Sequence, residues 1–489
     1  MLRIVKRNNR YICIIMAVCL CLAFASCAAK QENFKVSEQY TEIKQNQFVL
    51  NEHADLLSFS LKVDTAAYTN VSRYINKGLL PPVNSVRTEE LINYFDYDAD
   101  TEIGGEHPFG VTTYVDKSPF AENKYMAYIR VKTADIDVDD LPPSNLTFLI
   151  DVSGSMMSYD KLPLLQQAFS LLVENLSDKD TVSIVSYGDT SKVLLDSANG
   201  GDKEKILSVI HSLEASGSTA GANGIQTAYE LAKKNFRADM NNRVILATDG
   251  DFNVGISDTE ALKTFISEKR NEGVYLSVLG FGTGNLRDDI METLAANGNG
   301  NYSYIDTLMT AEKVLVEEMG ANMFVAAKDV KAQLEFNKEY VKEFRLVGYE
   351  NRLMSSEEFD DENKDAGEIG AGTDIVVLVE LVLEDGEVEI TDEELLKVCI
   401  RYKSVETGEQ KELKVSVINT PTDNIALEND FNFACSVAAY AELLRNSDFI
   451  GNTTAKEIAD FSEKYIGDDL KGYRKSFLEL VLKTLSLKS

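Results

Sequence analysis

The chain has 489 residues, a length at which about three domains are expected rather than one. Its composition, 44% apolar and 26% charged, is that of a globular protein with a sizeable core. A formal net charge of -30 argues against nucleic acid as a partner, because a polyanion would be repelled, and disfavours adsorption to anionic lipid. Attachment to a membrane therefore requires a specific anchor.

The first residues have the pattern of an export signal. Basic residues precede an apolar stretch at 11–25, which is as long as a signal-peptide core and too short to span a bilayer. It ends in Phe-Ala-Ser-Cys at 24–27, which resembles the lipobox of bacterial lipoproteins. The resemblance implies that the signal peptide, residues 1–26, is removed and that Cys27 carries lipid. We then expect export and a lipid anchor on the cell membrane or outer membrane, facing the periplasm or cell exterior. An ordinary signal peptide or a short membrane anchor is the alternative.

Residues 27–50 join this anchor to the folded body. They are polar and lack a clear period, which is typical of a tether. Beyond them the chain has two cysteines, Cys399 in strand-like sequence and Cys435 in helix-like sequence. We expect two separate thiols without a disulfide framework.

The N-terminal region, residues 51–143, mixes strands and helices. A short strand and two helices are predicted between Phe59 and Tyr97, separated by a turn at 78–82 that contains two prolines. Apolar alternation predicts half-buried strands at 109–116 and 124–133.

A regular alternation of strand and helix follows over residues 144–325. The predicted strands lie at 146–151, 180–189, 243–251, 274–282 and 301–306; the helices lie at 161–176, 202–215, 224–236, 259–273, 286–298 and near 310–324. Apolar strands alternating with amphipathic helices indicate an α/β fold, a doubly wound, Rossmann-like, mostly parallel sheet. In such folds the ligand site lies beyond the carboxyl ends of the strands.

The C-terminal region, residues 326–489, is predicted to be β-rich over 326–420 and helical over 427–489. Strands are expected at 330–336, 373–383, 396–402 and 412–419, before apolar residues recur at helical spacing. The ends of a doubly wound domain can lie close together, and both flanks carry strands without an evident partner. We therefore expect the two flanks to pack together as one β-rich module.

Three loops of the α/β region carry oxygen-bearing side chains. The first contains Asp151, Ser153 and Ser155 directly after an apolar strand; the second contains Thr219; the third contains Asp249 at the end of another strand. Hard divalent cations prefer oxygen ligands, and magnesium accepts few from the protein and keeps waters. Two carboxylates and three hydroxyls would hold such an ion and leave one position open.

Asp-x-Ser-x-Ser, a later loop threonine and a strand-end Asp-Gly together resemble a von Willebrand factor A domain with a metal-ion-dependent adhesion site. The resemblance implies Ser153, Ser155 and Thr219 as hydroxyl ligands, with Asp151 and Asp249 bound directly or through water. It implies a binding protein rather than an enzyme, in which the open position accepts a carboxylate from a protein partner. Mg²⁺ is the favoured cation, and Mn²⁺ or Ca²⁺ remain open because oxygen ligands suit all three.

The flanking regions extend this resemblance over most of the chain. "FSLKVDTAAYTNVSRYINKGLLPP" and "VRTEELINYFDYD" before the domain, and "FRLVGYENRLM" and "DAGEIGAG" after it, are similar to YfbK-type bacterial proteins. In that family, distinct N- and C-terminal regions surround the A domain.

Rival site chemistries have weaker support. The three histidines, His53, His107 and His211, are not near Ser153 in sequence, so a serine hydrolase lacks an evident base. A metal-dependent phosphatase would need Lys161 or Arg287 to reach the loops and hold phosphate. "GFGTGN" at 280–285 lacks the third glycine of a dinucleotide fingerprint. "DIDVDD" at 135–140 lacks the glycine and last acid of a calcium loop, which favours a solvated linker.

The sequence thus predicts an exported, membrane-anchored protein that binds a macromolecular partner through a divalent cation. A structural cell-envelope protein with a fold-stabilising cation is an alternative, and a metal-dependent hydrolase is a weaker one.

Overall fold

A computed structural model describes residues 38–487, apart from gaps at 63, 135–141, 218–220, 251–258, 363, 365, 385–392, 419 and 421. The side chains of 221–223, 259 and 321 are also outside the description. The predicted signal peptide, Cys27, Thr219 and the acidic stretch at 135–140 therefore lie outside the described residues. No helix within the described ranges is long and apolar enough to cross a membrane.

The N-terminal region contains the strands and helices that its sequence predicts. Its elements are β1 (Val49–Leu50), β2 (Leu56–Ser60), α1 (Ala66–Asn76), α2 (Thr88–Ile92), β3 (Phe109–Lys117) and β4 (Tyr125–Thr133). Helix α1 ends before Gly78, whose φ is 72°, and the prolines of the following turn cannot continue a helix. Strands β3 and β4 pair antiparallel along their whole length.

The central region folds around a six-stranded sheet with the order β10-β9-β8-β5-β6-β7. Its elements are β5 (Ser144–Asp151), α3 (Leu162–Glu174), β6 (Thr181–Tyr187), β7 (Lys192–Asn199), α4 (Lys203–His211), α5 (Gly221–Lys234), β8 (Asn241–Thr248), α6 (Thr259–Asn271), β9 (Tyr275–Phe281), α7 (Asp288–Asn297), β10 (Tyr302–Ile305), α8 (Leu308–Glu312) and α9 (Met319–Met323). All strand pairs are parallel except β6 with β7. Separate apolar cores cover the two faces, which confirms the doubly wound α/β fold.

The C-terminal region begins with strands and ends with helices, as predicted. Its elements are β11 (Val325–Phe336), β12 (Val341–Val347), β13 (Leu353–Met354), α10 (Ser356–Asp360), β14 (Ile369–Gly370), β15 (Asp374–Leu383), β16 (Glu394–Ser404), β17 (Gln410–Ile418), α11 (Ile425–Arg445), α12 (Ala455–Ser462) and α13 (Tyr473–Thr484). Cys399 in β16 and Cys435 in α11 are both free thiols, as expected.

Strands of the two flanks share two sheets. One has the order β1-β12-β15-β4-β3 and the other β13-β2-β11-β16-β17, so each contains strands from before and after the central region. A common apolar core that includes Phe59, Ile129, Val377 and Val398 lies between them. Helices α11 and α13 pack on the outer face of the first sheet. The flanks therefore form one module, as their unpartnered strands led us to expect.

This flank module contacts the central sheet at its edge strand β10. Thr69 Oγ1 donates to the Tyr304 carbonyl at 2.8 Å, and the Tyr302 amide donates to Asp64 at 3.0 Å. Nearby, buried Arg87 pairs with Asp288 at the start of α7 at 2.7 Å. Backbone and charged contacts therefore hold α1 and α2 against the central domain.

Candidate metal centre

Strand β5 brings a carboxylate to the carboxyl edge of the central sheet. All eight of its residues are buried, and it lies between β6 and β8, with Asp151 opposite Tyr187 and Ile150 opposite Ala247. Asp249 directly follows β8. Because parallel strands end at one edge, the structure brings Asp151 and Asp249 to the same place.

The first loop is folded around Asp151. The Ser153 amide donates to Asp151 Oδ1 at 2.9 Å, and the Ser153 and Ser155 hydroxyl oxygens are 3.1 Å apart. Thr248 Oγ1 and the Tyr187 hydroxyl donate to Asp151 Oδ2 at 3.0 and 3.2 Å. Sequence reasoning missed Thr248 and Tyr187. Their positions at the ends of two predicted neighbouring strands were the available signal.

The second loop is tied to the first by backbone hydrogen bonds. The Ser216 amide donates to the Val152 carbonyl at 2.8 Å, and the Gly154 amide donates to the Gly217 carbonyl at 3.0 Å. Gly217 has a φ of 77°, and a Cβ there would overlap the Asp189 carboxylate. These contacts fix the second loop up to Gly217. Thr219, two residues further on, lies outside the described residues.

Asp249 has a cationic partner that the sequence only hinted at. Lys161 Nζ donates to Asp249 Oδ2 at 2.8 Å and to Asn285 Oδ1 at 3.1 Å, and both charged side chains are almost fully buried. Arg287, the other basic residue considered for this site, pairs instead with Asp289 at 3.2 Å. Lys161 therefore does reach the loops, where it contacts a candidate metal ligand.

Burial sets the electrostatics of Asp151. Burial and, to a smaller extent, the charge of Asp249 raise the pKa of this carboxyl against hydrogen bonds from Ser153 and Thr248 that lower it, and the net pKa is about 6. Burial and the nearby Asp151 also raise the pKa of Tyr187 well above its ordinary range, so its hydroxyl keeps its proton. For the two buried carboxylates of Asp151 and Asp249, the described site thus supplies one positive charge, that of Lys161, and one negative charge is left uncompensated.

The described donors fit a hard divalent cation. They are carboxylate and hydroxyl oxygens, the ligand type that Mg²⁺, Mn²⁺ and Ca²⁺ share. Two ligands at about 2.1 Å from Mg²⁺ and at right angles are about 3.0 Å apart, which matches the separation of the Ser153 and Ser155 oxygens. Across the described ranges, His, Cys, Asp and Glu do not gather in threes as a metal cluster, so this candidate depends on hydroxyls.

Comparisons with known proteins place the fold in a family. Family models match residues 34–127 (von Willebrand factor), 145–318 (von Willebrand factor type A domain) and 321–487 (Uncharacterized protein YfbK, C-terminal). The uncharacterized protein YfbK of Escherichia coli (strain K12) is 41% identical over 447 residues, which cover 87% of this chain and 77% of that protein. The chain belongs to the YfbK family.

More distant relatives of this YfbK-family chain match it less completely. Human inter-alpha-trypsin inhibitor heavy chain H3 is 29% identical over 166 residues, or 32% of this chain and 18% of that protein. The solved structure of von Willebrand factor type A from Catenulispora acidiphila covers 79% of this chain and 91% of its own, with 16% identity and a TM-score of 0.42. Proteins with this domain are mostly binding proteins, and the domain often mediates protein interactions and metal-dependent binding.

The histidines of this YfbK-family chain lie elsewhere. His211 Nε2 is 3.0 Å from the Ser170 hydroxyl, His107 Nδ1 is 2.9 Å from the Tyr402 hydroxyl, and His53 is exposed beside Glu52. All three are among the described residues, and none hydrogen-bonds to Ser153 or Ser155. The described site therefore supplies no imidazole base to activate a serine.

The glycine-rich turn after β9 contacts the metal loops. Gly282 and Gly284 have φ values of 71° and 99°, and a Cβ on Gly282 would overlap the Lys161 side chain. The turn thus requires glycine for backbone conformation and for close packing against Lys161. A dinucleotide-binding fold uses an acidic residue about 20 residues beyond its glycine-rich turn, and Asp306 occupies that position here. Its carboxylate instead accepts hydrogen bonds from Thr310 and Thr307.

Proposed function

We propose that this YfbK-family chain is an exported, lipid-anchored binding protein whose central domain holds a protein partner through a divalent cation. Asp151, Ser153, Ser155, Thr219 and Asp249 hold the ion, and an acidic side chain of the partner completes its coordination. Mg²⁺ is the favoured ion, with Mn²⁺ or Ca²⁺ able to substitute. Cys27 carries the lipid.

The observation that carries this proposal is the pairing of buried carboxylates with adjacent hydroxyls at one sheet edge. Asp151 and Asp249 are both 0% exposed, and the hydroxyl oxygens of Ser153 and Ser155 lie 3.1 Å apart in the loop that follows Asp151. Burying such charges is costly unless a cation compensates them. Ser155 is exposed, so an ion bound here would remain open to a ligand from outside.

A second candidate rests on the same burial. If the cation serves only to neutralise Asp151 and Asp249, the chain is a structural cell-envelope protein with a stabilising ion. The two candidates differ in one observable, which is whether removal of the ion releases a partner while the fold survives.

The test uses the chain from residue 28, purified with chelator and then titrated calorimetrically with Mg²⁺, Mn²⁺ and Ca²⁺. The immobilised protein is next exposed to envelope proteins with Mg²⁺ and eluted with chelator, and circular dichroism follows the fold. We expect cation binding, chelator-released partners and an intact fold. Absence of cation binding would refute the site, whereas cation binding without released partners would favour the structural candidate.

Variants separate the site from general stability. Asp151→Asn and Ser153→Ala are expected to weaken cation binding at least about tenfold, since each removes a charged or neutral ligand. Asp430→Asn is the matched control. Asp430 is equally buried but pairs with Arg474 in the helical layer, at 2.7 Å, so its loss should leave cation affinity unchanged.

The anchor is tested separately by cell fractionation. Wild-type protein is expected in the membrane fraction with incorporated labelled fatty acid. Cys27→Ser should lose the label, since serine cannot form the thioether that links the lipid. An unlabelled wild-type protein would exclude the lipid anchor without affecting the cation proposal.

A further inference from the structure

Lys161 is a buried part of the candidate metal centre, as the carboxylates are. Its residue is 6% exposed, and its ammonium donates to Asp249 Oδ2 at 2.8 Å and to Asn285 Oδ1 at 3.1 Å. An ammonium group in this position places a positive charge beside a candidate ligand.

The surrounding backbone holds this side chain in place. The Lys161 amide donates to the Ser158 carbonyl at 3.0 Å, and its carbonyl accepts from the Leu165 amide at 2.8 Å. Its methylene groups lie against Gly282, where any side chain would overlap them. The Lys161 backbone is therefore fixed at the start of α3, and its side chain packs against the turn after β9.

The buried charges described at the site leave a simple balance. Asp151 and Asp249 contribute two negative charges and Lys161 one positive charge, so the protein alone leaves one negative charge. A divalent cation reverses this to one positive charge. In a buried site, a net charge of that kind is compensated most readily by a ligand of opposite charge.

We propose that Lys161 sets the ligand preference of the metal centre, by limiting its affinity for the cation and leaving the loaded site with a positive charge that an anionic carboxylate neutralises. This inference rests on the proposed cation site. Lys161 acts through Asp249 and is a positioning and charge-setting residue, with no contact of its own to the partner.

The inference predicts that removal of the Lys161 charge raises the affinity for the cation and lowers the affinity of the loaded site for a carboxylate. In Lys161→Met, which keeps much of the side-chain volume against Gly282, Asp249 loses its internal cation. Affinity for Mn²⁺ should then rise by roughly tenfold, since a nearby like charge has been removed. Affinity of the Mn²⁺-loaded protein for acetate should fall several-fold, because the loaded site is now neutral. A purely structural role of Lys161 would weaken both.

The experiment measures Mn²⁺ binding by electron paramagnetic resonance and acetate binding by its effect on water-proton relaxation at the bound Mn²⁺. Lys161→Arg keeps the charge and should leave both affinities within about threefold of wild type. Lys313→Met is the matched control for a buried lysine, because Lys313 is 1% exposed and pairs with Glu318 at 3.0 Å outside the metal loops. It should lower the melting temperature without changing either affinity.

The outcomes separate this inference from the proposed function. If wild-type protein binds no Mn²⁺, the cation site itself fails. If it binds Mn²⁺ but Lys161→Met shifts both affinities in one direction, shifts neither, or acetate does not bind the loaded wild type, the role assigned to Lys161 is wrong. Circular dichroism of each variant ensures that only folded protein is compared, and Lys161→Gln replaces Lys161→Met if the latter does not fold.

Discussion

At the scale of single residues, the candidate metal centre buries carboxylates whose negative charge would be more stable in water. Asp151 is fully buried, and its hydrogen-bond donors are a backbone amide and hydroxyl groups, none of which carries charge. Hydrogen bonds stabilise a carboxylate but do not cancel its charge in a medium of low polarity. A bound cation would cancel this charge, so the stability of the loop should depend on whether the ion is bound.

The first prediction concerns pH in the absence of metal. Burial raises the pKa of Asp151 from 3.8 to about 6, so this residue stabilises the fold most when protonated, below pH 3.8, and loses that contribution as pH rises through about 6. At pH 7.5 in chelator, Asp151→Asn should therefore be more stable than wild type by about 3 kcal/mol, since one pKa unit is worth about 1.4 kcal/mol. At pH 4 the two should converge. Urea unfolding at both pH values measures the difference.

Saturating Mg²⁺ should narrow this difference in stability at neutral pH. A ligand at a hundred times its dissociation constant stabilises the folded state by about 2.7 kcal/mol, and Asp151→Asn, which binds the cation more weakly, gains less than wild type. A stability difference between wild type and Asp151→Asn that is the same at pH 4 and 7.5, with or without Mg²⁺, would contradict the assignment of a charged, cation-binding Asp151.

The sequence predicts those site residues that directly follow a recognisable apolar strand. Asp151, Ser153 and Ser155 follow one apolar run, and Asp249 ends another, so strand periodicity was enough to bring them to one edge. For Lys161 the sequence indicates only that it is one of two basic residues able to reach these loops, and it does not predict the contact with Asp249. Its contact with Asp249 depends on where α3 begins and on the turn after β9, which no spacing along the chain encodes.

At the scale of elements, glycines fix how the loops meet. Gly217 occupies a left-handed conformation directly against Asp189, and its carbonyl accepts from the Gly154 amide in the first metal loop. An added methyl group would strain the backbone and push the second loop away from the first.

The second prediction is that Gly217→Ala uncouples the loops. Backbone strain of about 1 kcal/mol and the overlap with Asp189 should displace the loop and weaken Mn²⁺ binding by about tenfold. Gly408→Ala is the matched control, because its φ of 71° gives similar strain while nothing lies within 4 Å of the added Cβ. Equal Mn²⁺ affinities in the two variants, measured by titration, would show that the loop contact does not support the site.

A short N-terminal segment, residues 38–40, is attached to the same end of the sheet. The Gln39 amide donates to the Leu286 carbonyl at 3.1 Å, and the Gly284 amide donates to the Glu38 carboxylate at 2.9 Å. Arg73 donates two bonds of 2.8 Å to that carboxylate, whose side chain is 2% exposed. Residues 38–40 fall within the predicted tether at 27–50, and they are held against the turn that contacts Lys161.

The third prediction follows from the charge on Glu38. Burial alone would raise its pKa, but the paired Arg73 and further hydrogen bonds lower it to about 2, so the contact is stable at neutral pH and weakens as pH falls below 4.5. Glu38→Gln should destabilise the protein by about 3 kcal/mol because buried Arg73 loses its counter-charge. It should also speed hydrogen exchange at the amides of Gly284 and Gln39, which donate across this contact. Glu42→Gln, which changes an exposed carboxylate two residues beyond this segment, is the control, and matching exchange rates in both variants would contradict a specific role for Glu38.

Which strands could be predicted depended on how they are buried. β5, β8 and β15 are buried on both faces and stand out as apolar runs. Strand β7 was missed because only Leu195 and Ala198 of its eight residues are buried, as suits an antiparallel edge strand. The two-residue strands β13 and β14 are defined by their partners and have no periodicity of their own.

At the scale of the whole molecule, the central domain is an insertion into the flank module. The chain leaves that module after β4 and returns at β11, and the two crossing points are neighbours. The Gly372 amide donates to the Ala134 carbonyl at 2.9 Å, and the adjacent Ala371 amide donates to the Phe324 carbonyl at 2.8 Å. The cores of the sandwich and its helical layer are separate from the two cores of the central sheet apart from single residues.

The last prediction is that the flank module folds without its insertion. Replacement of residues 135–323 by a short glycine–serine linker joins Ala134 to Phe324 across the gap that residues 371 and 372 already bridge, so closing this loop costs little. Arg87 would lose Asp288 but keep Glu90, and Arg352 would keep Asp64. The Lys62 ammonium would lose the Gly300 carbonyl, and water would replace this acceptor where the central domain is removed. We expect a monomeric protein with strand-rich circular dichroism and a cooperative thermal transition. Residues 38–134 alone should not fold, since β1, β2 and β4 each pair with a strand beyond the insertion. A linked module that is unfolded, or an isolated N-terminal flank that folds, would mean that the shared sheets are not what holds the two flanks together.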